Sequence, residues 1–532
     1  MKFRYLPILV IAGVLSGCPM VGPDFEKPES QLSGKWMEQG DQRIKAKPDE
    51  FREWWKAFND PILNRLIEMA YAENLSLQAA GAKILSARAQ LGIAIGDFFP
   101  QQQDISGLIW DIHLPQSGLS ERLPATNRPD TSSNNVAGLW LDRLGPTVNW
   151  EIDLWGKFRR AIESADASML AQIANYDAIL VSLTGDVANN YIKVRTLERR
   201  LDIARSNIEV QKGSLKIAES KFRGGSSSRR DVEQAKTVLA STQALIPKLD
   251  AQLRATKNSL CYLLGKPPQE IDGLLGVDKR YGEIPTPPVQ VAVGIPVELL
   301  KRRPDIREAE YKAQSQSAQI GIAEAQLYPA LSISGSFAFV SSSASGHSLS
   351  DMFAWGNNFH RFGPAFQWNI MNYGQITNQV RYNDAMFQSL VIEYRNKVLK
   401  AQQEVEDGLI FFLKMQDSAE YLAQSTSAAK RSLELATLQY KEGIADFTTV
   451  LTAEQSLLQQ QDSFASTLGD VAGSLVLVYR GMGGGWQIRE GHDFVPEDIR
   501  QSMEKRTGWG NLLKSFTPET GPARGTIRAP EW

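Results

Sequence analysis

Apolar residues recur three and four positions apart over two long stretches of the chain. Val391, Tyr394, Val398, Ala401, Val405, Gly408, Phe412, Met415, Ala419 and Leu422 form one seam, and Val194, Leu197, Leu201, Ala204, Ile208, Leu215, Ala218 and Phe222 keep the same rhythm. That heptad period belongs to helices packed along a narrow stripe. No proline interrupts either stretch, so the pattern predicts helices over about 157–222 and 375–442, each about 100 Å long at 1.5 Å per residue. Each stops at glycine (Gly224-Gly225, then Gly443) and returns as another helix, which predicts two antiparallel helical hairpins. A different rhythm precedes each hairpin. Ser332 to Phe339 alternates small or polar with apolar residues, the period of a strand, and a partner strand runs into Trp368, with Trp150 its counterpart. Helices over about 61–97 and 304–326 come first, ended by Phe99-Pro100 and Tyr328-Pro329, because proline excludes the preceding residue from helical geometry.

The same order is written twice. Gly145-Pro146-Thr147-Val148-Asn149-Trp150 returns as Gly363-Pro364-Ala365-Phe366-Gln367-Trp368, and the same spacing relates Gly156 to Gly374, Gly225 to Gly443, Val232 to Val450 and Gly265 to Gly483. Upstream, Gly92-Ile93-Ala94 and Phe99-Pro100 match Gly321-Ile322-Ala323 and Tyr328-Pro329 at a spacing about eleven residues longer, which places a longer surface loop, Pro115 to Ser133, in the first copy. The organisation predicted is a signal at 1–17, an N-terminal segment at 18–60, one repeat at 61–273, a Pro-rich linker at 274–303, the second repeat at 304–486 and an extension at 487–532 that matches neither copy.

The N-terminus reads as an address. Lys2 and Arg4 precede the apolar run Tyr5 to Leu15, and Leu15-Ser16-Gly17-Cys18 follows; the run is too short for a membrane span and fits a secretory signal. Its ending resembles the bacterial lipobox, in which the cysteine is acylated, and Pro19 favours an outer-membrane destination. The other cysteine, Cys261, falls in an apolar helical stretch and reads as a small buried hydrophobe. Charge adds an exclusion: 58 Lys+Arg against 60 Asp+Glu leaves a net charge of −2, without the basic excess of a nucleic-acid binder. No later stretch reaches the roughly 18 apolar residues of a membrane-spanning helix.

The remaining motifs assemble no evident chemistry. The four histidines, His113, His347, His360 and His492, are scattered, and no metal-ligand spacing, catalytic motif or cofactor loop stands out, so neither an enzyme nor a metal or cofactor site is expected. Gly481-Met482-Gly483-Gly484-Gly485 follows a helix rather than opening one and reads as a helix end. Arg302-Arg303-Pro304-Asp305 reads as a helix start, with Pro at the first helical position and Asp just inside it. Arg223 to Arg230 reads as a hairpin turn.

Two copies with two strands each give four strands, too few to close a barrel, whereas three protomers would give twelve, and only a closed barrel leaves no open edge in a bilayer. The chain resembles the outer-membrane efflux proteins of the TolC and NodT type, specifically the lipoprotein factors of resistance-nodulation-division pumps. The resemblance rests on Val21-Gly22-Pro23-Asp24-Phe25, Trp54-Trp55, Glu151-Ile152-Asp153-Leu154-Trp155-Gly156, Arg302 to Arg307, Tyr328-Pro329, Asn372-Tyr373-Gly374 and the Tyr440 to Gly443 turn. It implies a mixed α+β membrane protein: a homotrimer whose β-barrel, four strands per protomer, lies in the outer membrane and continues as a helical coiled-coil barrel through the periplasm. A periplasmic adaptor and an inner-membrane pump are then the expected partners, with a lipid anchor on Cys18. The tunnel closes at the hairpin tips, where Arg223, Asp446, Thr449 and Thr452 are aperture candidates and Gly224, Gly225 and Gly443 the turns. Asp446 is equally readable as the cap of the helix that follows. A protein-secretion duct and a non-conducting periplasm-spanning lipoprotein remain alternative readings, and the transported substrate is not encoded in these motifs.

Overall fold

The computed structural model describes residues 20–30, 33–45, 51–113, 138–276, 280–292, 302–342 and 349–515. The signal at 1–17, Cys18 and the loop Pro115 to Ser133 lie outside them. The chain begins with a short strand β1 (Ile44–Lys45) and the helices α1 (Pro61–Glu73) and α2 (Leu75–Gly96), followed by strands β2 (Gln102–His113) and β3 (Gly138–Ile152). The long helix α3 (Lys157–Arg223) comes next and returns as α4 (Arg229–Gln243) and α5 (Leu245–Leu263), followed by a single turn α6 (Asp272–Leu275). After β4 (Val291–Ala292), which pairs with β1, the order is met again: α7 (Pro304–Ala325), β5 (Ala330–Ser342), β6 (Asn358–Gln367), α8 (Gln375–Lys441) and α9 (Phe447–Gly481), closed by α10 (Glu497–Arg506).

The sequence reads 61–97 as one helix, and the structure divides it at Asn74. That residue leaves helical geometry at ψ 118°, its side chain accepts from Leu77 N at 2.9 Å, and its amide donates to Leu263 O at 2.9 Å. A side chain that bonds nearby backbone offers an alternative to the helix, and here tertiary contact with the end of α5 selects it. The first hairpin's return is likewise split at Ala244, three residues before Pro247, which has no N–H to continue the ladder. The second return, without proline, runs 35 residues unbroken. Both 67-residue helices are entered through glycine in the left-handed region, Gly156 at φ 82° and Gly374 at φ 79°. No helix among the described residues is long and apolar enough to cross a membrane.

The helices form a wall in which α3 packs against α2 and α7 near the sheet and against α5, α4 and α9 further along, while α8 packs on α7 and α9. The main core lies at mid-height. Trp54 and Trp55 are buried there, and Trp54 stacks on Tyr479 at 5.4 Å; full burial of such side chains stabilises by about 1.5–3 kcal/mol each. The segment 487–515 is built into this core rather than laid against it. Phe494, Val495 and Met503 are buried, and Arg489 donates to both oxygens of the fully buried Asp177.

Residues 20–30 and 33–45 form a strap along the wall. Val21 N donates to Trp155 O at 3.0 Å, and buried Arg160 reaches Val21 O, Gly22 O and Asp24. Lys27 then pairs with Glu310, Met37 N donates to Glu406, and Arg43 pairs with Asp417 at 2.7 Å. Gly22, at φ 85°, lies so close to Gly321 that a β-carbon on it would stand 2.4 Å from Gly321 Cα. Arg303 holds its own helix start to the end of α9, donating to Gly481 O at 2.6 Å while paired with Asp305 and Glu404, which is the structural role its motif suggests.

Candidate channel wall and aperture

The strands β2, β3, β5 and β6 form one antiparallel sheet in that order, and among the described residues β2 and β6 have no partner on their outer edges. Directly paired residues share a face, so the register sorts the side chains. One face carries Ile105, Ile109, Leu144, Val148, Trp150, Leu331, Ile333, Phe337, Phe339, Phe362 and Phe366; the other carries Gln102, Asp104, Ser106, Arg143, Thr147, Asn149, Glu151, Ser332, Ser334, Ser336, Arg361 and Gln367. The sorting has exceptions: Leu108, Trp110, Leu141, Val340 and Phe359 lie on the polar face, and Gln103, Asp111, Asn358, His360, Ser341 and Asp142 on the apolar one, where Asp142 accepts from Ser341 Oγ at 2.6 Å. The apolar face is open on the edge strands, with Ile105 78% and Phe362 80% exposed, while Leu144, Leu331, Ile333, Phe337 and Phe339 on the central strands are half-buried. A patch of that size calls for an apolar surrounding.

Aromatic rings mark both ends of this face. At the junction with the helices, Trp150 Nε1 donates to Phe98 O at 3.2 Å, Trp368 Nε1 to Leu327 O at 2.9 Å and Trp155 Nε1 to Pro329 O at 2.8 Å. At the opposite end Phe337, Phe339, Phe353 and Trp355 form a second cluster. The tryptophans among them, Trp150 and Trp368 at one level and Trp355 at the other, are the amphipathic rings that a membrane's two interfaces favour.

The other end of the wall brings the two hairpin turns side by side. Gly225 and Gly443 turn at φ 73° and 78°, and Ala218, Val232, Leu433, Tyr440, Phe447 and Val450 form one small apolar cluster that joins both tips. Lys221 crosses between them, donating to Tyr440 O and to Lys441 O at 3.2 Å, with its ammonium 4.4 Å from the Tyr440 ring centre. A cation is thereby set at the C-terminus of α8, where the helix dipole favours it. The sequence reading missed Lys221, which looked like any charge near a solvated turn.

Arg223, Gly224, Asp446, Thr449 and Thr452 are all exposed at this end, and Arg223 and Asp446 form no ion pair with each other. Asp446 occupies the cap position of α9, yet its side chain makes no capping bond, so its carboxylate is free to face solvent. Thr452 Oγ1 donates to Thr448 O at 2.9 Å. Glu454 was also missed, although a carboxylate at a seam position between Val450, Leu451 and Leu457 is legible in the sequence. It is 1% exposed and accepts from Ser214 Oγ of α3.

Burial raises the Glu454 carboxyl above the ordinary glutamate value, partly opposed by the Ser214 hydrogen bond. The protonated form is therefore the one the fold favours. Its contribution is complete below the ordinary glutamate value and is lost as pH climbs through the raised one. Protection of the tip amides, measured by hydrogen exchange corrected for intrinsic rates, is expected to fall from pH 5 to pH 8, and Glu454→Gln is expected to remove that dependence. An unchanged dependence in the variant would assign it to another group.

The profile of the outer membrane efflux protein family matches residues 66–266 and 295–484. The chain belongs to the outer membrane efflux protein family. It is 29% identical over 492 residues to Nodulation protein T of Rhizobium leguminosarum bv. trifolii, covering 91% of this chain and 98% of that one. It is also 29% identical over 452 residues to the pyoverdine export outer membrane protein OpmQ of Pseudomonas putida, covering 85% and 92%. Among solved structures, the outer-membrane channel OprN superposes with a TM-score of 0.79 at 30% identity, over 88% of this chain and 99% of that one. The chain is thus an outer-membrane efflux channel protein.

Proposed function

We propose that three copies of the chain close into one tube, a twelve-stranded barrel in the outer membrane continued by a helical tunnel through the periplasm, and that solutes pass through it passively. The two-faced sheet with both edges open carries this reading. An unpaired edge in a bilayer leaves backbone groups unsatisfied at several kcal/mol each, and threefold closure removes every edge. Strands of 10 to 15 residues suit a tilted crossing. The exposed polar face then lines the pore and the apolar face meets lipid.

Cys18 is the proposed acylation site, two residues before Met20, whose side chain rests on Gly156 at the foot of the sheet. An anchor there would sit level with the inner edge of the membrane. A tandem duplication accounts for the shared order of elements, and it is supported by the matched left-handed glycines and by the Trp150 and Trp368 bonds to equivalent carbonyls. A periplasmic adaptor and an inner-membrane resistance-nodulation-division pump complete the route, and the pump selects the cargo. Relatives are named for exporting pyoverdine and solvents, so small toxic or secreted solutes are the class in view.

Asp446, repeated three times around the axis, is the proposed ring at the aperture, with Thr449 and Thr452 on the same helix. Purified protein in planar bilayers is expected to give stable channel currents, and Asp446→Ala is expected to raise the conductance of the closed state severalfold. Absence of current would reject the conduit; current unchanged by the substitution would reject the ring.

A further inference from the structure

Midway along the wall, α3, α8 and α9, with Gln252 of α5, line an open recess of about 620 Å³. In α8 it is lined by Phe411 and Met415, which lie about 120° to 180° round the helix from Glu406 and Asp417, the residues the strap holds. In α9 it is lined by Asp470, about five turns along the same face from Thr452. The recess therefore opens on the face opposite the strap, the face that carries the aperture candidates.

Charges on this face form rungs between α3 and α9. Asp186, Lys193 and Arg200 stand seven residues apart on α3. The outer two are paired: Asp186 with Arg480 at 3.1 Å, and Arg200 with Asp462 through two bonds of 2.7 and 2.9 Å. The middle rung is open. Lys193 and Asp470 both line the recess, both are exposed, and among the described residues neither makes an ion pair. Burial of the surrounding wall raises the Asp470 carboxyl, and the Arg200 charge opposes this, as for a carboxylate that lacks a counter-ion of its own. Beside them Phe411 and Leu477 leave 52% and 43% of their surface to water. Two opposite charges that do not pair, next to exposed apolar area, match a solute that carries both charges on an apolar body.

We propose that the open rung is a transit site for zwitterionic amphiphiles, with the solute's carboxylate toward Lys193, its ammonium toward Asp470 and its apolar body on Phe411 and Leu477. The site rests on the conduit reading, which places this face inside the tube. The probe is ciprofloxacin, fluorescent and zwitterionic, compared with its ethyl ester, a cation, and its N-acetyl derivative, an anion, by anisotropy with the full chain in lipid nanodiscs. The zwitterion is expected to bind about tenfold more tightly than either derivative. Lys193→Gln and Asp470→Asn are each expected to abolish that preference, and Phe411→Ala to weaken all three probes together. Equal binding of the three probes, or a preference that survives both charge substitutions, overturns the site. Planar-bilayer currents from the same preparations separate the two readings: normal current with equal binding overturns the site alone, and no current overturns the conduit and the site with it.

Discussion

Phe362→Arg is expected to remove the protein from the outer-membrane fraction, while Ser334→Arg on the neighbouring strand leaves it there. Phe362 lies on the apolar face of β6, opposite Gly335 of β5, and Ser334 lies one residue away on the polar face. A charge on the lipid side of a barrel costs about 2–4 kcal/mol near the midplane, and a trimer meets that cost three times. A charge on the other side meets water. Membrane fractionation, with the mobility of unheated samples on denaturing gels as a measure of assembly, distinguishes the two. Equal recovery of both variants would mean that the sheet does not enter the bilayer, and loss of Ser334→Arg alone would mean that the faces are assigned the wrong way.

Arg489→Ala is expected to destabilise the protein by about 3 kcal/mol, the low end for breaking a buried pair, because it leaves a carboxylate inside the core with Arg307 alone beside it. Asp177 is fully buried, and Arg489 grips both its oxygens while Arg307 stands 3.5 Å away. The guanidinium also lies 5.3 Å from the Trp486 ring centre and 4.9 Å from that of Phe494, so its removal loses packing as well. Adding Asp177→Asn to the variant is expected to restore most of the loss, since an amide tolerates burial better than an unpaired charge. Thermal unfolding of the three proteins measures both steps. A single variant as stable as the parent would show that the buried carboxylate is neutral in the fold or that Arg307 alone carries its charge.

The elements legible in the sequence are those whose period is written locally. The seam from Val391 to Leu422 and the alternation from Ser332 to Phe339 each specify an element and its packed face without reference to anything distant, and the long helices end within a residue of where glycine and charge place them. Contacts between segments of unlike pattern are not written this way. Nothing near Asp177 announces that its partner stands 312 residues later, and nothing in the mixed composition after 486 announces a core. Asn74 breaks its helix only because Leu263 O is there to receive its amide. At the candidate site the turns were readable because glycine has a local reason to be there. The cation that joins them, Lys221, was not, because its acceptors are carbonyls that every residue possesses.

The strap gives the proposed anchor a kinetic meaning. Its first described residues are fastened at the foot of the sheet, so an acyl chain two residues further on would reach the membrane before any strand does. Insertion would then no longer wait on an encounter between a free protein and a distant bilayer. The sheet would meet lipid at the high effective concentration of a tethered partner, already at the right depth, and three such tethered chains would search for one another in two dimensions rather than three.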